Sequence, residues 1–107
     1  MQSGNIFSAI PHGIDQERFE KILSSGNLRI ERIISGGRST PPGQWYDQEQ
    51  DEWVILLAGS AALMFEGSGE AISLRPGDYI NIPAHMRHRV EWTDEAEETI
   101  WLAVHYG

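Results

Sequence analysis

After Gly26 the chain consists of short β-type segments that are separated at close spacing by turns containing glycine or proline. Residues 28–34 largely alternate between apolar and charged side chains, as a half-buried strand does, whereas residues 53–58 are apolar on both faces, as in a strand deep in a sheet. Residues 66–70 have the glycines of a hairpin loop that leads into residues 71–74. This pattern predicts an all-β sandwich or barrel.

One helical pattern precedes the strands. Asp15 can cap a helix, and Ser24-Ser25-Gly26 can end it. The apolar face of this helix would carry Phe19, Ile22 and Leu23. Because a chain of 107 residues has room for a single domain, we expect an N-terminal arm with one short helix in residues 1–26, followed by a barrel in residues 27–107.

The composition argues against several classes of partner and location. A net charge of −8 disfavours nucleic acid and anionic membrane surfaces, because both require a basic patch. No apolar run approaches the roughly 20 residues of a membrane span, and the N-terminus lacks the layout of a signal peptide. The chain has 0 cysteines, which excludes disulfides and thiolate metal sites and agrees with a reducing compartment. We therefore expect a cytoplasmic protein with no nucleic-acid or membrane partner.

His88 has the setting of a functional residue. Within residues 87–92, His88, Val90 and Trp92 share one face of a strand, and the charged residues share the other face. The imidazole is therefore directed into an apolar interior, shortly after the turn and strand of residues 77–83. Its role is either that of a ligand to a metal or small molecule, or that of a core histidine whose nitrogen is satisfied by a backbone carbonyl or a tyrosine.

The surroundings of His88 resemble the second signature motif of the cupin superfamily, the small jelly-roll barrels. Gly77, five residues, Pro83 and then His88 follow the spacing of that motif, and the histidine at this position binds metal in many cupins. The chain departs from the motif at His85, where the family usually has a turn glycine, and at Trp92, where it often has asparagine.

A preceding segment resembles half of the first cupin motif. Glu52, six residues and Gly59 match its glutamate-to-glycine end. Tyr46 and Gln48 stand where the family has a pair of metal-binding histidines. The resemblance covers roughly residues 43–92 and implies a single small jelly-roll barrel. It implies less about chemistry, because one fold carries many functions.

What the resemblance implies about the site is a divalent metal ion, with Zn, Ni, Mn and Fe as the candidates. A complete cupin site holds its ion with three histidines and one carboxylate. In this chain His88 and Glu52 are the matching ligands, and Gln48 and His85 are the candidate additions. A smaller set of nitrogen ligands predicts weaker binding and more open coordination positions.

The positions of the remaining candidates depend on the course of the chain before the buried strand. Tyr46, Gln48 and Glu52 have equal parity, so they share one face if the segment is extended. Tyr46 would then place a phenol at the mouth of the barrel; alternatively the segment is a polar loop and Glu52 a solvated strand end. Asp47 becomes an oxygen donor if a bulge shifts the register. His105 lies between two apolar faces, and parity cannot place it.

Three functions are compatible with this site. The first is a small-molecule enzyme in which the ion acts as a Lewis acid on a substrate carbonyl, with Glu52 or Tyr46 moving a proton. The second is a non-catalytic cupin that binds a small ligand without metal, as a sensor or accessory domain does. The third is a barrel that acts only through its interface.

The strand pattern also predicts self-association. A small jelly roll has exposed sheet edges, and an apolar strand near the N-terminus can pair with a second copy of the chain. We therefore expect a homodimer to which Ile30, Ile33 or Ile34 contributes.

Overall fold

The computed structural model describes residues 1–37 and 39–107. Within these residues, two antiparallel sheets face each other, with strand orders β1-β2-β8-β3-β6 and β5-β4-β7. The strands are β1 (Arg18–Ser25), β2 (Leu28–Ser35), β3 (Asp51–Ala58), β4 (Ala61–Phe65), β5 (Ala71–Leu74), β6 (Tyr79–Ile82), β7 (His88–Thr93) and β8 (Thr99–Tyr106). This arrangement confirms the predicted all-β jelly-roll fold.

The predicted N-terminal helix is wrong, because Arg18–Ser25 is a strand that pairs with β2 along its length. The register of this pair shifts between Lys21 and Leu23, which marks a β-bulge. A bulge interrupts the period of two, so the apolar residues of the segment fall at spacings that imitate a helix. Pairing with β2 also supplies backbone hydrogen bonds, whereas an isolated helix of this length is marginal.

The inward faces of the strands form an apolar core that becomes polar along β3 and β8. Leu56 lies opposite Trp101 and Val54 opposite Ala103, and all four side chains are buried. Two positions farther along the same face, Glu52 lies opposite His105, and both of these side chains are also buried. The remaining buried residues of the core cluster are Ile33, Ala61, Leu63, Leu74, Ile82 and Val90. The fold therefore directs titratable groups into the space between the sheets.

The segment before β1 is fastened to the barrel by hydrogen bonds. The guanidinium of Arg32 donates to the backbone oxygens of Ile6 and Ser8 at 3.0 and 2.6 Å. Farther along, the backbone N–H of Gly13 donates to the carboxylate of Glu98 at 3.1 Å. These contacts hold the chain where it enters the barrel. Among residues 1–37 and 39–107, no helix is long and apolar enough to cross a membrane.

Candidate functional site

A cavity of about 50 Å³ lies between the two sheets. Core side chains form its apolar wall. Its polar lining consists of Glu17, Tyr46, Gln48, Glu52 and His88. A water molecule needs roughly 10–15 Å³ of such volume, so the cavity has room for an ion with a few waters or for one end of a small ligand.

Glu52 and His88 face each other in this cavity. Glu52 on β3 is 6% exposed, and His88 on β7 is 5% exposed. The distance from Glu52 Oε1 to His88 Nε2 is 3.9 Å, too long for a hydrogen bond. His88 Nδ1 lies 3.0 Å from the carbonyl oxygen of Met86. Because a carbonyl can only accept, Nδ1 carries the proton, and the lone pair of Nε2 is left facing Glu52.

The environment of Glu52 opposes its ionised form. Burial raises the pKa of the Glu52 carboxyl, the charges that His105 and His88 carry when they are protonated lower it, the charge of Glu31 raises it further, and a hydrogen bond from Gln48 lowers it. A buried carboxylate of this kind is stabilised either by a proton or by a nearby cation. The site is therefore suited to bind a cation at Glu52.

Tyr46 and His88 are joined through both backbone and side chain. The backbone N–H of Tyr46 donates to the carbonyl of His88 at 2.7 Å, and the return bond is 3.1 Å long. The two rings are 5.6 Å apart between centroids. Burial, followed by the nearby charge of Glu17, raises the pKa of Tyr46 to about 12. The phenol therefore stays protonated at neutral pH and acts as a hydrogen-bond donor.

Glu17 is a site residue that the sequence reasoning missed. It precedes β1 and lines the cavity, and its carboxylate accepts hydrogen bonds from Ser35 Oγ at 2.7 Å and from Tyr46 Oη at 3.4 Å. Burial raises the pKa of its carboxyl, against the effect of these two hydrogen bonds. The sequence did contain a signal for this placement. Glu17 stands two positions before Phe19, and an extended strand would direct both side chains to the same face. The incorrect helix obscured that signal.

The structure does not bring His85 or Asp47 to the Glu52–His88 pair. The side chain of His85 is 66% exposed, and its Nδ1 lies 2.9 Å from Asp47 Oδ1 outside the cavity. His85 also has a φ of 62°, a left-handed conformation that favours glycine and explains the glycine usual at this position in the family. The predicted sharing of one ion by His85 and His88 is therefore not supported by this geometry.

His105 lies behind Glu52 and does not line the cavity. It is the direct cross-strand neighbour of Glu52, and only 3% of it is exposed. Its Nε2 lies 2.9 Å from Glu31 Oε1. The structure thus assigns His105 to the inward face, where it is paired with a second buried carboxylate.

Two donor atoms of the cavity are close enough to share one divalent ion. Among residues 1–37 and 39–107, no group of three or more His, Cys, Asp or Glu side chains has the geometry of a metal site. Glu52 and His88 nevertheless offer an oxygen and a nitrogen lone pair 3.9 Å apart, a separation that two ligands of one ion can have when each bond is roughly 2.0–2.2 Å long. The amide of Gln48 lines the same cavity and donates a hydrogen bond to Glu52.

Comparisons with known proteins agree with this fold. The profile of the cupin domain family matches residues 30–105. A protein from Ralstonia eutropha, whose name proposes it as a mannose-6-phosphate isomerase, is 50% identical over 99% of this chain and 98% of its own, with a TM-score of 0.97. No curated protein matches the chain.

Two more distant structures share the fold alone. A cupin superfamily protein from Desulfitobacterium hafniense is 20% identical, with a TM-score of 0.73, over 91% of this chain and 83% of its own. The polyketide cyclase RemF from Streptomyces resistomycificus is 18% identical, with a TM-score of 0.77, over 99% of this chain and 79% of its own. At this level of identity, the likeness does not extend to chemistry.

Proposed function

This chain belongs to the cupin family, and we propose that it is a metal-dependent enzyme that moves a proton on a small hydroxy-carbonyl compound. The observation that carries the proposal is the buried pair of His88 Nε2 and Glu52 Oε1, 3.9 Å apart in one cavity. The isomerase name of the Ralstonia protein, which is 50% identical, supports this reaction class, because an aldose–ketose isomerase moves a proton between two neighbouring carbons.

The proposed metal ligands are His88, Glu52 and Gln48. The carbonyl of Met86 fixes the protonation of His88, as partners of metal-binding histidines commonly do. A bound divalent ion, with Zn, Ni, Mn and Fe as candidates, would polarise the carbonyl oxygen of the substrate. Tyr46 remains protonated, and because its hydroxyl proton is directed to the Glu17 carboxylate, Tyr46 would orient that carboxyl rather than donate to the substrate. Glu52 is occupied as a ligand, which leaves the proton-accepting role to another group.

The first test is metal content. Wild type, Glu52→Gln, His88→Ala and the surface control Glu70→Gln would be incubated with Zn²⁺ or Mn²⁺, desalted and measured by elemental analysis. The two cavity variants should retain at least about tenfold less metal than wild type, since metal affinity falls by 10–100-fold when even an outer partner of a ligand is lost. The control, whose residue is exposed in the loop before β5, should match wild type. Equal metal content in all four proteins would contradict the assignment.

The second test is the reaction itself. Metal-loaded protein in D₂O would be mixed with mannose 6-phosphate or fructose 6-phosphate, and NMR would follow the loss of the proton on the carbon beside the carbonyl. Wild type should exchange this proton, and His88→Ala should not. Wild type without exchange on either sugar phosphate would refute the enzymatic part of the proposal while leaving the metal result standing.

One observation favours a second candidate, a cupin that binds a small ligand without metal. The raised pKa of the Glu52 carboxyl means that a proton can replace a cation there. This candidate predicts that a small ligand raises the melting temperature in the presence of EDTA. An increase that requires added metal would exclude it.

We further propose a homodimer formed through the outer face of the five-stranded sheet. The strand register gives this face a partly buried apolar row of Ile30, Val104 and Trp53. The predicted roles of Ile33 and Ile34 do not fit, because Ile33 belongs to the core and Ile34 is fully buried. In a twofold-symmetric dimer, each chain would cover this row of its partner with its own copy of the same row.

Sedimentation tests the dimer. Wild type should sediment at about twice the 12.1 kDa of one chain, and Val104→Lys should sediment as a monomer. Ile72→Lys is the matched control, since Ile72 is an exposed apolar residue on β5 of the other sheet. A 12 kDa species for wild type at micromolar concentration would contradict the proposal.

A further inference from the structure

A second pocket adjoins the cavity and is about six times larger. Its volume is about 310 Å³, against about 50 Å³ for the cavity. The chain before β1 lines one side of it with Asp15 and Gln16, and the loop at residues 39–41 lines the other. Binding pockets for small ligands typically span roughly 300–1,000 Å³. The outer pocket therefore has the size to hold most of a small ligand, and the cavity only its reactive end.

Three residues line both spaces, namely Glu17, Tyr46 and Val90. A ligand that occupied both spaces would therefore contact these three residues. Two of the three carry acid–base groups, and these are hydrogen-bonded to each other, Tyr46 Oη lying 3.4 Å from Glu17 Oε1. The boundary between the pockets is thus a carboxyl group and a phenol.

The carboxyl of Glu17 is held in place from two sides. Ser35 Oγ donates to its Oε2 at 2.7 Å, and Tyr46 donates to its Oε1. Ser35 is itself 1% exposed and accepts a hydrogen bond from the indole of Trp101 at 3.3 Å. A buried carboxyl with two fixed donors keeps one orientation, which is what a group that exchanges protons with a ligand needs.

We propose that Glu17 is a catalytic residue of this site, the carboxyl that removes and returns the proton of a ligand spanning the two pockets. This assignment rests on the proposed function. Glu17 is the suitable carboxyl because it lines both pockets, whereas Glu52 lines only the inner cavity, faces His88 at 3.9 Å and is assigned to the ion in the proposed function. Burial also raises the pKa of the Glu17 carboxyl, which makes its carboxylate a stronger base than an exposed one.

The proposed step is an isomerisation that needs no oxidant or reductant. The Glu17 carboxylate takes the proton from the carbon next to the carbonyl, and the electron pair of that C–H bond becomes the C=C bond of an enediol. The carbonyl oxygen gains a proton from water. The Glu17 carboxyl exchanges its proton with solvent and then delivers a proton to the former carbonyl carbon, while the neighbouring hydroxyl loses its proton to water, which completes the shift of the carbonyl by one carbon.

The test compares wild type, Glu17→Gln, Glu17→Asp and the surface control Glu70→Gln, all loaded with Zn²⁺ or Mn²⁺. Proton exchange on mannose 6-phosphate and fructose 6-phosphate in D₂O reports the chemistry, and elemental analysis reports the metal. Glu17→Gln keeps an oxygen that can accept from Ser35, so we expect it to fold and to retain metal. Its exchange rate should fall by about 10²–10⁴-fold, the usual contribution of a positioned general base. Glu17→Asp should retain part of the rate, and the control all of it.

A second readout does not depend on turnover. In protein carrying ¹³C-labelled glutamate, the carboxyl resonance missing from Glu17→Gln identifies Glu17. Adding fructose 6-phosphate should shift this resonance, because the proposal requires direct contact. An unshifted resonance with bound fructose 6-phosphate would overturn the proposal.

The remaining outcomes separate this proposal from the one on which it rests. Exchange by Glu17→Gln within about threefold of an active wild type would overturn the role of Glu17 and leave the proposed function intact. Loss of metal from Glu17→Gln would show that the residue supports the metal site and would also overturn its catalytic role. A wild type with no exchange on either sugar phosphate would overturn both proposals.

Discussion

Gly59→Ala should be unusually destabilising because Gly59 meets strand β8 at very short range. Its φ is +83°, in the left-handed region. An added Cβ would lie 2.5 Å from Thr99 Oγ1 and 2.8 Å from Thr99 Cα. Thr99 is fully buried, and its hydroxyl donates to the carbonyl of Ser60 at 3.1 Å. The clash with Cα can be relieved only by moving the strand itself, since a backbone atom has no other rotamer.

The expected cost of Gly59→Ala has two parts. A left-handed conformation costs a residue with a side chain about 1–2 kcal/mol, and forcing an extra methyl group into packed structure costs typically about 1–3 kcal/mol. Their sum is a loss of about 2–5 kcal/mol in the free energy of unfolding. For a domain of this size, each kcal/mol lowers the melting temperature by about 4–8 °C, so the decrease should be at least about 8 °C.

Gly67→Ala is the matched control. Gly67 has a φ of +86°, and a Cβ there would find nothing within 4 Å. It should therefore lose only the conformational part, about 1–2 kcal/mol. Urea unfolding followed by tryptophan fluorescence would measure both variants, and the difference between them reports the contact with Thr99. If Gly59→Ala were as stable as Gly67→Ala to within about 0.5 kcal/mol, the steric argument would be wrong.

Three further predictions concern titratable side chains. Because burial raises the pKa of the Glu17 carboxyl, its contribution to stability is complete below the unfolded-state value of 4.5 and is lost as the pH rises through the folded-state pKa. In urea unfolding, the free energy of unfolding of Glu17→Gln should therefore rise relative to that of wild type between pH 4 and pH 8. A difference between the two proteins that does not change with pH would contradict this. His85→Gly relieves a left-handed residue outside the cavity, so both stability and metal content should be maintained, and loss of metal would restore His85 as a ligand. His105→Ala removes the buried partner 2.9 Å from Glu31 and leaves that carboxyl with Arg29 at 3.6 Å, so it should cost about 1–3 kcal/mol of unfolding free energy, whereas His12→Ala, at an exposed pair, should cost far less.

The meeting of Glu52 and His88 followed from local pattern together with the family spacing. Each residue lies on a strand whose apolar neighbours at every second position fix the buried face, Val54 beside Glu52 and Val90 beside His88. Once the faces are fixed, two opposed sheets bring both groups into the same interior. The sequence could not supply the distance between them, because that depends on how the two sheets are placed relative to each other.

The position of Glu17 could not be read in the same way. It lies before β1 and outside both motifs, and its carboxyl is held by a hydrogen bond from Ser35, 18 residues away along the chain. The bulge between Lys21 and Leu23 interrupts the alternation that would have identified β1 as a strand, and no local composition marks this bulge clearly. Long-range pairing with β2 decided the structure of Arg18–Ser25 against a plausible helical pattern.

The two departures from the family pattern at the first motif change what the cavity can do. A histidine at either position would offer an imidazole nitrogen to a metal, and neither Tyr46 nor Gln48 has one. In exchange, the phenol of Tyr46 reaches a carboxyl from the N-terminal segment, Glu17, that lies outside both motifs. A site with fewer nitrogen ligands would hold an ion less tightly, yet this cavity has a second buried carboxyl, that of Glu17. That combination favours proton transfer over redox chemistry, because proton transfer requires a positioned acid–base group and leaves the charge of the ion unchanged.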